Sequence, residues 1–322
     1  MIIITGGAGF IGSVLSQHVS RQGVKDLFVV DKLNKPCKKK NMSGMSIKEF
    51  IDRDVFLERL ESGSFGKVDV VIHMGACTDT TEANMDYLLK QNYEYSKRLC
   101  SWCLNNGTRF IYASSASVYG DGKNSFSDGD ELTSRLKPLN KYGLSKLMFD
   151  QWLIENNYVN SVAGLRFFNV FGPNEYHKGN MSSIIYRSFP AAKKDSVVRL
   201  FKSYMKGIKD GDQRRDFIYV KDVVKVVDLF MQNKNINGIF NVGTGKARSF
   251  NELGAALLTS LNKKVRIEYF DMPDEIKPNY QYFTEADMTK LRSVGYKHEF
   301  TSLENAITDY VQNYLIKPNQ YY

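Results

Sequence analysis

The chain has 322 residues, 43% of them hydrophobic and 25% charged, with 44 Lys plus Arg against 35 Asp plus Glu and a formal net charge of +9. That is the balance of an ordinary globular protein, long enough for one large or two intimately packed domains, and no apolar run approaches the ~20 residues that cross a bilayer. The positive surplus favours an anionic partner, whether a nucleotide, a phosphate-bearing sugar or RNA.

In chain order, "MIIITGGAGF" opens with an apolar run of four residues and no basic start or cleavage site. It is not a signal peptide, and a cytoplasmic protein is expected. "IIIT" at 2–5 reads as a buried strand, "GGAGFIG" as a turn and "SVLSQHVSRQG" as an amphipathic helix. A second strand, "LFVVD", ends at Asp31. "KPCKKK" at 35–40 is too short for a nucleic-acid site and reads as a solvated loop. Strands follow at 68–73, 109–114 and 161–167, separated by helical stretches at 84–106 and 142–157. The four cysteines, Cys37, Cys77, Cys100 and Cys103, are too few for a disulfide framework and suit a reducing compartment. Cys100 and Cys103 lie on one helix without a second ligand pair, so a structural role outweighs metal or redox chemistry. This alternation predicts an α/β, doubly wound parallel sheet of Rossmann type.

After residue 168 the pattern loosens. A loop runs into a helix near 183, and 203–213 reads as an exposed polar loop. Residues 216–245 return to strand, helix and strand. A helix at 250–262, a strand at 264–270 and a final helix near 302–314 complete the chain. The expected division is a dinucleotide domain of 1–168 plus about 214–246 and a smaller, discontinuous substrate domain of about 169–213 plus 247–300. The last helix is expected to pack back on the core.

Gly6, Gly9 and Gly12 stand between a strand and a helix. There they serve a tight turn, close backbone approach to a pyrophosphate and helix–strand contact. The helix N-terminus offers unpaired N–H groups to the anion. Asp31, 19 positions after Gly12, can accept from the adenosine ribose. A lone Asp there favours NAD, whereas Lys32, Lys38 and Arg53 can pair with the 2′-phosphate of NADP, and NADP is the expected form.

Ser115 follows the strand at 109–114, and Tyr142 and Lys146 stand at i and i+4 on one helical face. A phenol titrates near ~10, so a cationic Lys146 and the nicotinamide are expected to draw Tyr142 toward the phenolate. Ser115 would orient the reacting hydroxyl. His73 and His177 lack a second ligand at suitable spacing, and no metal is expected.

Strand, glycine turn, serine and Tyr-x-x-x-Lys in this order resemble the extended short-chain dehydrogenase/reductase family, which acts largely on nucleotide-linked sugars. The resemblance covers essentially the whole chain. "HMGACTDTTE" at 73–82, "LRFFNVFGPNEYHKG" at 165–179, "RRDFIYVKDV" at 214–223 and "PNYQYFTEAD" at 278–287 are similar to its ADP-L-glycero-D-manno-heptose 6-epimerase branch. That implies inversion of carbon six of an ADP-linked heptose for the lipopolysaccharide inner core, in a homo-oligomer, a pentamer by resemblance.

Such an inversion moves protons on two sides of one carbon, and a catalytic group must lie within ~3 Å of its proton. The resemblance makes Lys178 the second acid/base group opposite Tyr142, with its pKa lowered from ~10.4 toward ~7–8. It implies cofactor contacts at Phe10, Ile11, Asn92, Val170 and Lys178, and along Met74, Gly75, Ala76, Cys77 and Thr78. It implies substrate contacts at Ser115, Asn169 and Tyr280, a diphosphate clamp at Arg215, and further contacts at Asn180, Arg187, Phe201, Lys202 and Ser203. Asn180 stands where serine is common in the family and Arg187 where histidine can occur.

Two other functions fit parts of the sequence. A 4-epimerase or dehydratase of another nucleotide sugar is one. A dehydratase needs an acidic pair after the serine strand, and "SASVYGDGKN" offers Asp121 alone. A non-catalytic RNA-binding protein on the same scaffold is the other. It is opposed by the intact glycines, Ser115, Tyr142 and Lys146, and by the lack of a basic stripe interleaved with aromatics.

Overall fold

The computed structural model describes residues 1–322 apart from the side chain of Asn279. Twelve strands run in chain order: β1 (Ile2–Thr5), β2 (Leu27–Asp31), β3 (Glu49–Asp52), β4 (Val70–His73), β5 (Arg109–Ser115), β6 (Val162–Phe167), β7 (Asn169–Phe171), β8 (Val198–Phe201), β9 (Arg214–Tyr219), β10 (Gly238–Val242), β11 (Ala247–Ser249) and β12 (Ile267–Phe270). Seven of them form one sheet in the order β10-β6-β5-β4-β1-β2-β3. Every pairing in it is parallel.

The sheet is a buried layer because its strands are apolar on both faces. Successive residues point to opposite sides. Ile4, Val29, Ile72 and Ile111 pack with the helix Phe10–Arg21 and the helix Val220–Gln232. Ile3, Phe28, Val30, Val71 and Phe110 pack with the helices Tyr95–Asn105 and Lys141–Glu155. Each such fully buried side chain contributes roughly 1.5–3 kcal/mol. Strand order reverses between β1 and β4, which opens a crevice at the carboxyl ends of those strands.

Several elements differ from the sequence reading. The first helix begins at Phe10, not residue 13, because Gly9 in extended conformation already serves as its N-cap. β3 was not foreseen: "EFID" is short and half acidic, and it is paired on one side alone, at the sheet edge. β9, expected with the dinucleotide domain, leaves the main sheet. It pairs in parallel with β7 and antiparallel with β11, while β8 and β12 form a separate parallel pair. The helix expected at 250–262 ends at Ser260, and the strand expected at 264–270 begins at Ile267. The last helix, Leu303–Tyr310, buries Leu303, Ile307 and Tyr310 in the same core as Ile4. The 203–213 loop is exposed over 204–207 and at Lys209, but Gly211 and Gln213 are buried against the helix Phe250–Ser260. No helix of the described residues is long and apolar enough to cross a membrane.

Candidate active site

The glycine turn closes when the Gly9 N–H donates to the Gly6 carbonyl at 2.9 Å, with Gly6 at φ +66. A Cβ on Gly12 would overlap the Gly6 carbonyl oxygen, and one on Gly6 would stand 2.5 Å from the Gly75 nitrogen. The helix that follows has no side-chain cap and no acidic residue in its first turn, so its N-terminal N–H groups are left for an anion. Asp31 closes β2 and is buried. Its carboxylate accepts from the Ala8 N–H at 3.0 Å, the Lys32 N–H at 2.7 Å and the Lys38 amine at 2.6 Å. The Lys32 amine itself is committed to Asp54. The Arg53 guanidinium lies 5.8 Å over the Tyr95 ring.

On the other side of the turn, residues 74–78 leave β4 beside the turn. Asn92 does not line the cavity, contrary to expectation. It is buried and holds this segment, accepting from the Cys77 N–H at 2.8 Å and donating to the Cys77 carbonyl at 3.0 Å and to Ser145 at 3.0 Å. His73 is structural: it bonds Thr5 at 2.6 Å and Ser96 at 3.0 Å, and burial pulls its pKa down to about 3. Among the described residues no cluster of His, Cys, Asp or Glu could hold a metal.

Ser115 ends β5, and the helix Lys141–Glu155 starts beside it under an Asn140 cap that accepts from the Gly143 N–H at 2.7 Å. Tyr142 and Lys146 follow on that helix, both buried. Burial pushes the Tyr142 phenol up to about 12, opposed by the Ser115 side chain beside it. The expected pull toward the phenolate is therefore not supplied by the chain's own charges. The Lys146 amine is spent on the Ala113 carbonyl at 2.9 Å, and burial brings its pKa down to about 8 against the Asp150 carboxylate, which raises it.

These groups line one cavity of about 740 Å³ together with Gly6, Gly9, Phe10, Ile11, Gly12, Lys38 and Arg53. Asp31, Lys32, residues 74–78, Asn169, Val170 and Lys178 complete the walls named from the sequence. Lys178 enters from the turn Tyr176–Met181, its amine 5.6 Å over the Phe10 ring. Burial pulls its pKa below the ordinary lysine value, while the Glu175 carboxylate pushes the other way. Tyr142 and Lys178 thus reach the same space from two separate elements. His177, beside Lys178, is brought down to about 4 by burial and by neighbouring lysines.

A second cavity of about 550 Å³ adjoins the first and shares Asn169, Val170 and Met181 with it. Arg187, Phe201, Arg215 and Tyr280 line it, as expected. Arg215 is buried and stacks 5.2 Å from the Tyr280 ring. Its donors go to the Arg214 and Gln281 carbonyls, and among the described residues it pairs with no carboxylate. Three expected contacts lie outside both cavities. The Lys202 amine pairs with Asp271 at 3.2 Å, the Ser203 N–H bonds Asp210 at 2.7 Å, and Asn180 is exposed on the far side of Gly179.

Sequence reasoning missed Met181 at the junction of the cavities, although it lies in the same "HKGNMSS" stretch as Lys178. It also missed the buried Asp150–Arg166 pair. Asp150 accepts from Arg166 at 2.9 Å, Tyr112 at 2.8 Å and Ser114 at 3.0 Å, tying the Tyr142 helix to β5 and β6. The signal was a charged residue inside the apolar run "VAGLRF", which requires a buried partner.

A dinucleotide cradle at the switch point of a doubly wound sheet, opening onto serine, tyrosine and lysine, defines an enzyme class. Its members use a nicotinamide cofactor to oxidise and reduce a secondary alcohol. Residues 2–243 match the NAD dependent epimerase/dehydratase family, and the chain belongs to it. A curated relative from Nitratidesulfovibrio vulgaris (strain DP4), named ADP-L-glycero-D-manno-heptose-6-epimerase, is 47% identical over 316 residues, covering 98% of each chain. One of the same name from Fusobacterium nucleatum subsp. nucleatum is 44% identical over 331 aligned positions, covering all of both chains. The crystal structure of the Helicobacter pylori ADP-L-glycero-D-manno-heptose-6-epimerase is similar at a TM-score of 0.81 and 31% identity, covering 97% of this chain and 95% of that one.

Proposed function

We propose that this protein inverts carbon six of ADP-D-glycero-D-manno-heptose, giving the ADP-L-glycero-D-manno-heptose used in the lipopolysaccharide inner core. It does so by oxidation and re-reduction at that carbon. The observation that carries the reading is that Tyr142 and Lys178 line one cavity from different elements, the helix Lys141–Glu155 and the turn Tyr176–Met181. The full-length likeness to relatives named for this activity supports the substrate.

The nicotinamide, when bound, supplies the site that takes the carbon-six hydride and returns it. The glycine turn and the helix N-terminus hold the diphosphate of the dinucleotide, and Asp31, Lys38 and Arg53 surround its adenosine end. NADP is the form we favour: Lys38 already balances the Asp31 charge at 2.6 Å, which removes the repulsion a 2′-phosphate would meet. Arg215 holds the ADP diphosphate of the substrate by its planar fork, with Tyr280 stacked against it. Asn169 stands where the two cavities meet and turns the sugar toward the first.

At the reacting end, Ser115 hydrogen-bonds the carbon-six hydroxyl and Tyr142 takes its proton as the ketone forms. Held on the Ala113 carbonyl one helical turn from Tyr142, Lys146 joins the oxidised nicotinamide in favouring the phenolate that accepts this proton. The carbonyl arm then swivels, and Lys178 delivers the proton to the oxygen on the opposite side. Met181 and Phe10 give that space an apolar wall. The reaction is redox-neutral overall. A cytoplasmic homo-oligomer belongs to the same reading, its size measurable by sedimentation.

Turnover in deuterated water tests the mechanism. Carbon six of the product should stay free of deuterium, because the hydride returns to the carbon it left. Substantial label at carbon six would show exchange through solvent and overturn the direct route.

A further inference from the structure

Glu175 is fully buried, yet no step above uses it. It stands at one end of the turn that carries Lys178, and its carboxylate reaches across to the other end. One oxygen accepts from the Ser183 N–H at 2.5 Å, and the other from the Ser183 hydroxyl at 2.7 Å. The Gly172 N–H adds a bond at 3.4 Å. Ser183 in turn caps the helix Ile184–Asp195 by accepting from the Tyr186 N–H at 3.2 Å. Residues 175 and 183 therefore form a closed neck. Between them, His177, Lys178 and Met181 all line the cofactor cavity.

Beyond the neck the turn is tied by Lys35, which donates to the His177 carbonyl at 3.0 Å, and by the Ser182 hydroxyl, which donates to the Gly179 carbonyl at 2.6 Å. Gly179 sits at φ +55 with open space where a Cβ would be, and Asn180 is exposed. The neck also carries charge. Glu175 faces Lys178 within the turn, Arg187 and Tyr186 on the helix Ile184–Asp195, Tyr310 on the helix Leu303–Tyr310, and its neighbour Tyr176. Lys178 faces His177 and Glu175, and among the described residues Glu175 is the one carboxylate that acts on its amine. A buried carboxylate persists where several donors satisfy it, and removing its charge leaves those donors and the facing cation unbalanced.

We propose that Glu175 is the positioning residue for Lys178: its carboxylate clasps the turn at the neck and stands behind the amine as its counter-charge, so that residue 178 is presented to the cofactor cavity at a set place. This rests on Lys178 being the second acid/base group.

A double-mutant cycle separates the two ideas. Glu175→Gln, Lys178→Met and the pair are compared for kcat, KM, NADP affinity by fluorescence titration, melting temperature and the pH dependence of kcat. In the otherwise natural enzyme, Glu175→Gln should lower kcat by ~10–10²-fold with KM and NADP affinity changed less than ~3-fold. The limb of the profile set by Lys178 should move to lower pH, because loss of the anion makes the amine easier to deprotonate. In the Lys178→Met background the same change should cost nothing further. Should Glu175→Gln fail to fold, Ser183→Ala loosens the neck while keeping the charge; it should lower kcat without moving that limb. An equal loss in both backgrounds, or natural kcat with an unmoved profile, overturns the clasp. Full activity of Lys178→Met alone would instead overturn the acid/base reading beneath it.

Discussion

The two walls that face each other over the cofactor cavity are built differently. Tyr142 stands in the first turn of a capped helix, with Lys146 one turn on and Asp150 one turn further, and Asp150 is bonded to both β5 and β6. Lys178 hangs on a six-residue turn whose ends are drawn together by a single carboxylate. The difference teaches a division of labour. The group that must stay in register with the serine and the nicotinamide is fixed by regular elements and a buried ion pair. In the proposed mechanism the group that meets the swivelled substrate, Lys178, is carried instead by the short turn Tyr176–Met181.

That contrast can be broken or sharpened by substitution. The largest effect is expected at the reacting groups: Tyr142→Phe and Lys178→Met should each lower kcat by ~10²–10⁴-fold in steady-state assays. An active Lys178→Met enzyme would erase the second wall altogether. Next, Asp150→Ala should lose about 3–5 kcal/mol of stability in urea denaturation, because it strands the buried Arg166 guanidinium. Lys178→Met should cost much less, because Glu175 keeps its Ser183 donors, and equal losses at the two positions would remove the distinction between rigid and loop-borne walls. Arg215→Ala should then raise KM by ~10–100-fold with a smaller change in kcat, since the proposed function has it hold the substrate diphosphate in the adjoining cavity.

A further effect is one of pH. His73 beneath the Tyr142 wall titrates at about 3 in the folded protein against 6.5 for the ordinary side chain. Between those values the unfolded chain binds the extra proton and the folded chain does not. Stability is therefore lost as pH falls from 6.5 toward 3, at about 1.4 kcal/mol for each unit of the gap that is crossed. Urea midpoints measured at pH 7 and pH 5 should show the loss, and His73→Asn should reduce it.

The first wall was legible because its parts are local. Gly6, Gly9 and Gly12 sit within seven residues, Asp31 ends an unbroken apolar strand, and Tyr142 and Lys146 share one helical face. Period and spacing suffice for such features. The second wall and the adjoining cavity were less legible because they form by long-range pairing. β9 joins β7 across more than forty residues, so the surroundings of Arg215 depend on a sheet that no local pattern announces. Lys202 and Ser203 were placed at the substrate by the family resemblance, but past the end of β8 their polar atoms bond Asp271 and Asp210. Asn92 carries a buried amide whose partner is backbone fifteen residues earlier, a relation that spacing alone does not encode.

The central claim is that Tyr142 and Lys178 serve opposite sides of one carbon as an acid/base pair. The most direct measurement is the pH dependence of kcat/KM for Lys178→Met beside the natural enzyme, on ADP-D-glycero-D-manno-heptose. The account predicts a profile at least ~10²-fold lower in which the limb set by the amine has vanished. A variant that keeps natural activity and both limbs would contradict it.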